Sequence, residues 1–204
     1  MENTLSYEEL NRVPTAEEKV LLAAMQVGAA SIYLGSPIAL DDNRIVTSVD
    51  WADGSLSIAA QPDVPRNITV ALTDADDSVT GLLTITGKDA AGRTVSETMQ
   101  PDGAGGGKTL TGTKIFAQVD SAVITDTAGA TGGVDQLIIG VGNVIGLPFD
   151  IGAEAAVIHA YLGGTKVTPD AVATGVYTSG VDASGGTYDG SKVLQVFANP
   201  VRNV

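Results

Sequence analysis

RNITVAL at residues 66–72, then GLLTITG at 81–87 and TVSETMQ at 94–100, form the stretch that decides the class of fold. In the first run Ile68, Val70 and Leu72 alternate with Asn67, Thr69 and Ala71. That period of two predicts a strand with one apolar side. The polar run DADDS at 74–78 reads as a turn. The connector KDAAGR, with Gly92 near its end, joins the next two runs as a hairpin. Beyond the glycine-rich DGAGGG at 102–107 come KTLTGTKIFAQVDSAVIT and DQLIIGVGNVIGLP, so short strands and turns alternate from Pro62 to Pro148. Such spacing is the habit of a β-sandwich or small barrel of antiparallel strands, and the predicted class is mainly β.

Working outward toward the N-terminus, SIYLGSPIAL at 31–40 and RIVTSVDW at 44–51 read as strands, with Asp41, Asp42 and Asn43 as a polar turn between them. Before them, Thr15 and Glu18 stand in capping-box spacing ahead of an apolar run. A helix is expected from about Ala16 to Gly28, with Val20, Leu21, Ala24, Met25 and Val27 on one side and Glu17, Glu18 and Lys19 favouring its first turn. It is an arm that packs on its own sheet or docks on a neighbouring subunit. Toward the C-terminus, 150–165 reads as strand or short helix, and Val193, Leu194, Val196 and Phe197 ahead of Pro200 read as a final strand. The expected organisation is an N-terminal arm and short helix (1–30), a β-sandwich or barrel (31–148) and a C-terminal β segment with a tail (149–204).

Composition bounds the function. The chain has 204 residues, 25 of them glycine, no cysteine, and a formal net charge of −13. That charge disfavours nucleic acid and anionic membrane surfaces as partners and favours solubility at high local concentration. The missing cysteines exclude disulfides and thiolate chemistry. The sequence MENTLSYEEL lacks the basic-then-apolar pattern of a secretory signal, and no run reaches the length of a membrane-spanning helix. The expectation is synthesis in a cytoplasm without membrane insertion.

Six features invite a chemical reading, and each is better read as structural. DGAGGGKT (Asp102 to Thr109) ends like a phosphate loop, but Asp102 stands where that motif needs glycine, and KTLTGTKIF reads as a strand where a helix must open. In GVGNVIG the third glycine of a dinucleotide fingerprint comes one residue late, and Leu147-Pro148 blocks a following helix. Gly140, Gly142 and Gly146 then serve a bulge or tight turn. Asp74, Asp76 and Asp77 offer oxygen ligands but lack the glycine and distal glutamate of a helix-loop-helix calcium site. His159 is the lone histidine, and Asn67-Ile68-Thr69 forms a glycosylation sequon without a secretory signal. Trp51, the single tryptophan, is assigned to packing. Catalytic, cofactor-binding and metal-binding residues are therefore all expected to be none, and the chain is expected not to be an enzyme.

Four motifs occur in order: PRNITV at Pro65–Val70, TITGKDAAG at Thr84–Gly92, TGTKIF at Thr111–Phe116 and IGVGNVIGLP at Ile139–Pro148. Their texture and order resemble a class of small virion structural proteins of tailed phages, and the resemblance covers roughly residues 62–148. It implies a virion component; capsid decoration or cementing is favoured over a tail or head-tail connector part or an adhesive β module by a separate inference, since an acidic β domain with terminal arms suits a many-copy shell subunit. The partners expected of a decoration protein are the major capsid protein and further copies of the chain, a homotrimer among the possible assemblies. The resemblance implies no cofactor and carries no catalytic residue across.

Overall fold

In the computed structural model, residues 30–73, 79–100 and 108–199 are described. The expected N-terminal helix, the three-aspartate turn, the glycine-rich loop at 102–107 and the last five residues lie outside them. The described residues form fourteen strands: β1 (Ala30–Tyr33), β2 (Asp41–Asp50), β3 (Gly54–Ser55), β4 (Arg66–Leu72), β5 (Thr80–Lys88), β6 (Thr94–Met99), β7 (Lys108–Phe116), β8 (Gln118–Ala128), β9 (Gln136–Gly146), β10 (Val157–Leu162), β11 (Thr165–Val167), β12 (Ala171–Ala173), β13 (Gly180–Asp182) and β14 (Leu194–Ala198). Their only helical turns are the three-residue 3-10 turns Glu154–Ala156 and Ser184–Gly186. The chain is mainly β, and every pairing is antiparallel.

β9 is the spine. One of its edges pairs with β4 along most of its length, and the other is shared, with β2 over Gln136–Val141 and β13 over Val144–Gly146. With β7 beyond β4 and β12 beyond β13, these strands make a six-stranded sheet. A second sheet, in the order β3-β8-β5-β6, faces it. The chain passes from one to the other between β7 and β8 at the single residue Ala117, whose N–H donates to the Lys88 carbonyl at 2.7 Å. Between these sheets Ile68, Val70, Leu83, Ile85, Phe116, Ile124, Leu137 and Ile139 are buried in one apolar cluster, each aliphatic side chain contributing about 1.5–3 kcal/mol of transfer free energy. This is β-sandwich packing, as expected.

A third sheet, β1-β14-β10-β11, unites the two ends of the described chain. Its inner face, including Ala160, Leu162, Leu194 and Val196, closes a second cluster on Ile145 of β9 and Val181 of β13. Strands after residue 148 thus pair with strands before it at two places, β13 on β9 and β14 on β1.

Several local expectations hold. The 81–100 stretch is the expected hairpin: Asp89 Oδ1 accepts the backbone N–H groups of Ala91 and Arg93 at 3.0 and 2.7 Å, and Gly92 supplies a φ of +77°. Trp51 is buried, donates its indole N–H to the Thr80 carbonyl at 3.0 Å, and lies on Gly81. Residues 194–198 form the final strand. The ambiguous stretch contains a 3-10 turn and then β10, which turns at Gly163 and Gly164 into β11.

RNITVAL has its expected apolar side, Ile68, Val70 and Leu72, and because β4 is an inner strand between β9 and β7, Arg66, Asn67 and Thr69 are buried as well. Two expectations need correction. Asp41–Asn43 is not a turn, because these residues open β2, where Asp41 pairs with Val141 and the register shifts before Val46. Of SIYLGSPIAL only the first three residues are strand, since Gly35 at φ +86° and Pro37 turn the chain away from the sheet.

Candidate interaction surfaces

The glycines of GVGNVIG lie inside β9 and make room for close approaches. A Cβ on Gly140 would stand 2.2 Å from the Asp41 carbonyl oxygen. One on Gly142 would stand 2.4 Å from Asn67 Oδ1, and one on Gly146 2.2 Å from Ile115 Cγ2. The first two sit where β9's registers with β2 and β4 shift, in keeping with bulges; none makes a tight turn. Asn67, the sequon residue, is buried and crosslinks the sheet, donating Nδ2–H to the Gly112 carbonyl at 3.0 Å and accepting the Val144 N–H at 3.0 Å. A glycan has no access to it in the folded protein. Lys108 and Thr109, the end of the phosphate-loop lookalike, begin a strand. Among the described residues no group of three or more His, Cys, Asp or Glu side chains could hold a metal ion.

A cleft of about 450 Å³ opens beside the hairpin loop, lined by Arg93, Phe149, Asp150, Ile151, Gly175 and Val176 among others. Arg93 grips Asp150 with two parallel bonds of 2.8 and 2.9 Å, and its Nε donates to Asp89 Oδ2 at 2.6 Å. Its guanidinium lies 4.8 Å from the centre of the Tyr177 ring. Tyr177 is held at φ +66°, where a bulky side chain is strained, while its carbonyl accepts the Ile115 N–H at 2.8 Å. Two carboxylates match the one cation, so this is a brace joining the hairpin, β7 and the 148–151 segment, with little attraction for an anionic ligand. The sequence reading missed it, because Asp89, Arg93, Asp150 and Tyr177 are scattered along the chain and meet only through the hairpin loop.

The bidentate bond from Arg93, opposed by partial burial, holds the Asp150 carboxyl below its ordinary 3.8. A carboxylate with a depressed folded pKa adds stability that is present above its unfolded value and lost as pH falls toward the folded one. Asp189 is also lowered, by Ser191 and Lys192 in its own turn, so acid sensitivity has two sources. Asp150→Asn is expected to flatten the fall of Tm with acidification below about pH 4 while Asp189 keeps the remainder. Identical Tm-against-pH slopes for variant and wild type would show that the brace does not couple to folding.

The outer faces of the two end sheets differ. On β5 and β6 the face is polar: Thr84 with Thr98 and Thr86 with Ser96 pair hydroxyls at 3.1 Å, and Lys88 Nζ donates to Thr94 Oγ1 at 2.7 Å. On the third sheet it is aromatic. Cross-strand registers place Tyr33, Gln195, Tyr161 and Lys166 in one row and Ser31, Phe197 and His159 in the next. Three of the chain's nine aromatic residues share this face, and Tyr33 is 70% exposed. Tyr161 meets Phe197 at 5.8 Å and His159 at 6.4 Å, edge to face in both cases. His159 is thus an exposed member of a surface patch.

No protein-family model matches the chain, and comparison with curated proteins and with solved structures finds no match either.

Proposed function

We propose that this chain is a virion structural protein that binds an assembled capsid and stabilises it, as a decoration or cement subunit. The observation supporting this reading is where the four phage-like motifs fall. Pro65–Val70 leads into and forms most of β4, Thr84–Gly92 takes in the second half of β5 and its turn, Thr111–Phe116 most of β7, and Ile139–Pro148 most of β9. The motif residues do framework work. Asn67 crosslinks β9 and β7, Asp89 and Gly92 build the hairpin turn, and Gly112 admits Glu97, whose Oε1 accepts the Thr113 N–H across the two sheets at 2.8 Å. The likeness is one of sequence motifs, and function follows from it by analogy. Acidity fits a subunit that must stay soluble until it meets its lattice.

A cement subunit acts by mass action, binding the assembled shell and not its parts. At a free concentration about 100 times Kd the stabilisation is about 2.7 kcal/mol per site. Purified protein added to capsids prepared without it is expected to co-sediment saturably and to raise the temperature of shell disruption. Absence of binding to shells, with incorporation into tails or connectors, would overturn the decoration reading and keep the virion one. Absence from all of these would overturn both.

A further inference from the structure

The aromatic outer face of the β1-β14-β10-β11 sheet carries its side chains in an order that is its own complement. We propose that this face pairs with the same face of a second copy, around a twofold axis that runs parallel to the strands between β14 and β10. The proposal goes beyond the capsid reading and holds or fails on the free protein.

Three observations carry it. First, the order. From edge to edge one row reads Tyr33, Gln195, Tyr161, Lys166. Such an axis turns the row end for end, so each Tyr33 ring meets Lys166 of the second copy and each Gln195 amide meets Tyr161. An ammonium and an amide thus lie over aromatic rings, and in the next row Phe197 meets His159. A twofold contact needs this self-complementarity. An axis across the strands would instead set Lys166 on Lys166. Second, the charge. Two copies of net charge −13 repel wherever acid faces acid, and these two rows hold no Asp or Glu. Third, the relief and size. Tyr33, His159 and Lys166 are exposed, and neighbouring rings stand at 74° and 80° to one another, a ridged surface on which two copies interdigitate. Four strands and two rows give a flat footprint of roughly 250 Å² per copy, against about 800 Å² in a standard interface, so the pair is weak and reversible.

Sedimentation of the intact protein from about 10 μM to about 1 mM, the range in which so small an interface dissociates, tests this. The expected result is a reversible shift from monomer to dimer as concentration rises. Lys166→Glu puts an acid in the face, and Tyr33→Lys sets like charges opposite each other; each is expected to weaken dimerisation about tenfold or more. The double variant, Tyr33→Lys with Lys166→Glu, is expected to regain it in a salt-sensitive form, because each new lysine lies over the new glutamate of the other copy. Within one chain the two positions are three strands, about 14 Å, apart, so only pairing between copies gives that rescue. Both side chains are exposed, and an unchanged Tm shows that each variant keeps the fold. A monomer at every concentration would overturn the proposal, including one whose variants alter only co-sedimentation with capsids, which would give the face to the shell. Dimerisation that ignores all three variants would place the contact elsewhere, and loss in both single variants without regain in the double would overturn the twofold arrangement.

Discussion

Asp63→Ala is expected to lower the stability of the fold by about 3–5 kcal/mol, because it strands a charge in the interior. Arg66 is fully buried on the inner strand β4. Its Nη1 donates to Asp63 Oδ1 at 2.9 Å and, more weakly, to the Ile38 carbonyl at 3.3 Å; its Nε donates to the Gly142 carbonyl at 2.6 Å. Among the described residues Nη2 finds no acceptor, so Asp63 supplies the one compensating charge in an already under-satisfied site. The same carboxylate accepts the Ile38 N–H through Oδ2 at 2.8 Å, and that donor would lose its partner too. Replacing both partners with apolar residues, as in Arg66→Met with Asp63→Leu, is expected to cost less than Asp63→Ala alone, since no unpaired ion remains. Urea unfolding of the three proteins measures this. A loss under about 1 kcal/mol for Asp63→Ala would show that the guanidinium is satisfied without its carboxylate.

Gly140→Ala is the second large effect, expected to cost about 3 kcal/mol through one added methyl group. The new Cβ would lie 2.2 Å from the Asp41 carbonyl oxygen and 2.4 Å from two backbone atoms of Asp42. Backbone cannot rotate aside as a side chain can, so β2 would have to leave the spine where its register already shifts. The site is sensitive because β9 carries three neighbouring strands, and displacing β2 also disturbs Ile45 and Val46 in the sandwich core. Gly132→Ala is the control: its Cβ would meet only Asp50 Oδ2, at an ordinary 3.6 Å, and a change within about 0.5 kcal/mol is expected. Equal midpoints for the two variants would mean that β2 and β9 do not approach as described. Against a total stability of about 5–15 kcal/mol typical of such domains, either single change removes a large part.

It was legible in the sequence that this protein is mainly β, that residues 81–100 form a hairpin, that KTLTGTKIF and GVGNVIG are strand and not helix, and that Trp51 packs. Each rests on local physics. A period of two, a turn residue at a given place and the absence of a helix after a glycine run are properties of a few neighbouring residues, and they survive whatever the rest of the chain does. That RNITVAL is buried on both sides emerges only in three dimensions, because burial of Arg66 and Asn67 depends on β7 and β9, which are remote in sequence. The same holds for Gly140 and Gly142 as contact points, for Arg93 and Asp150 as a brace across 57 positions, and for the gathering of Tyr33, Tyr161 and Phe197 on one face. Those are facts of register. A strand's neighbours are set by the total burial and hydrogen bonding of the whole sheet, so one residue's pattern tells which side it faces but not what stands opposite.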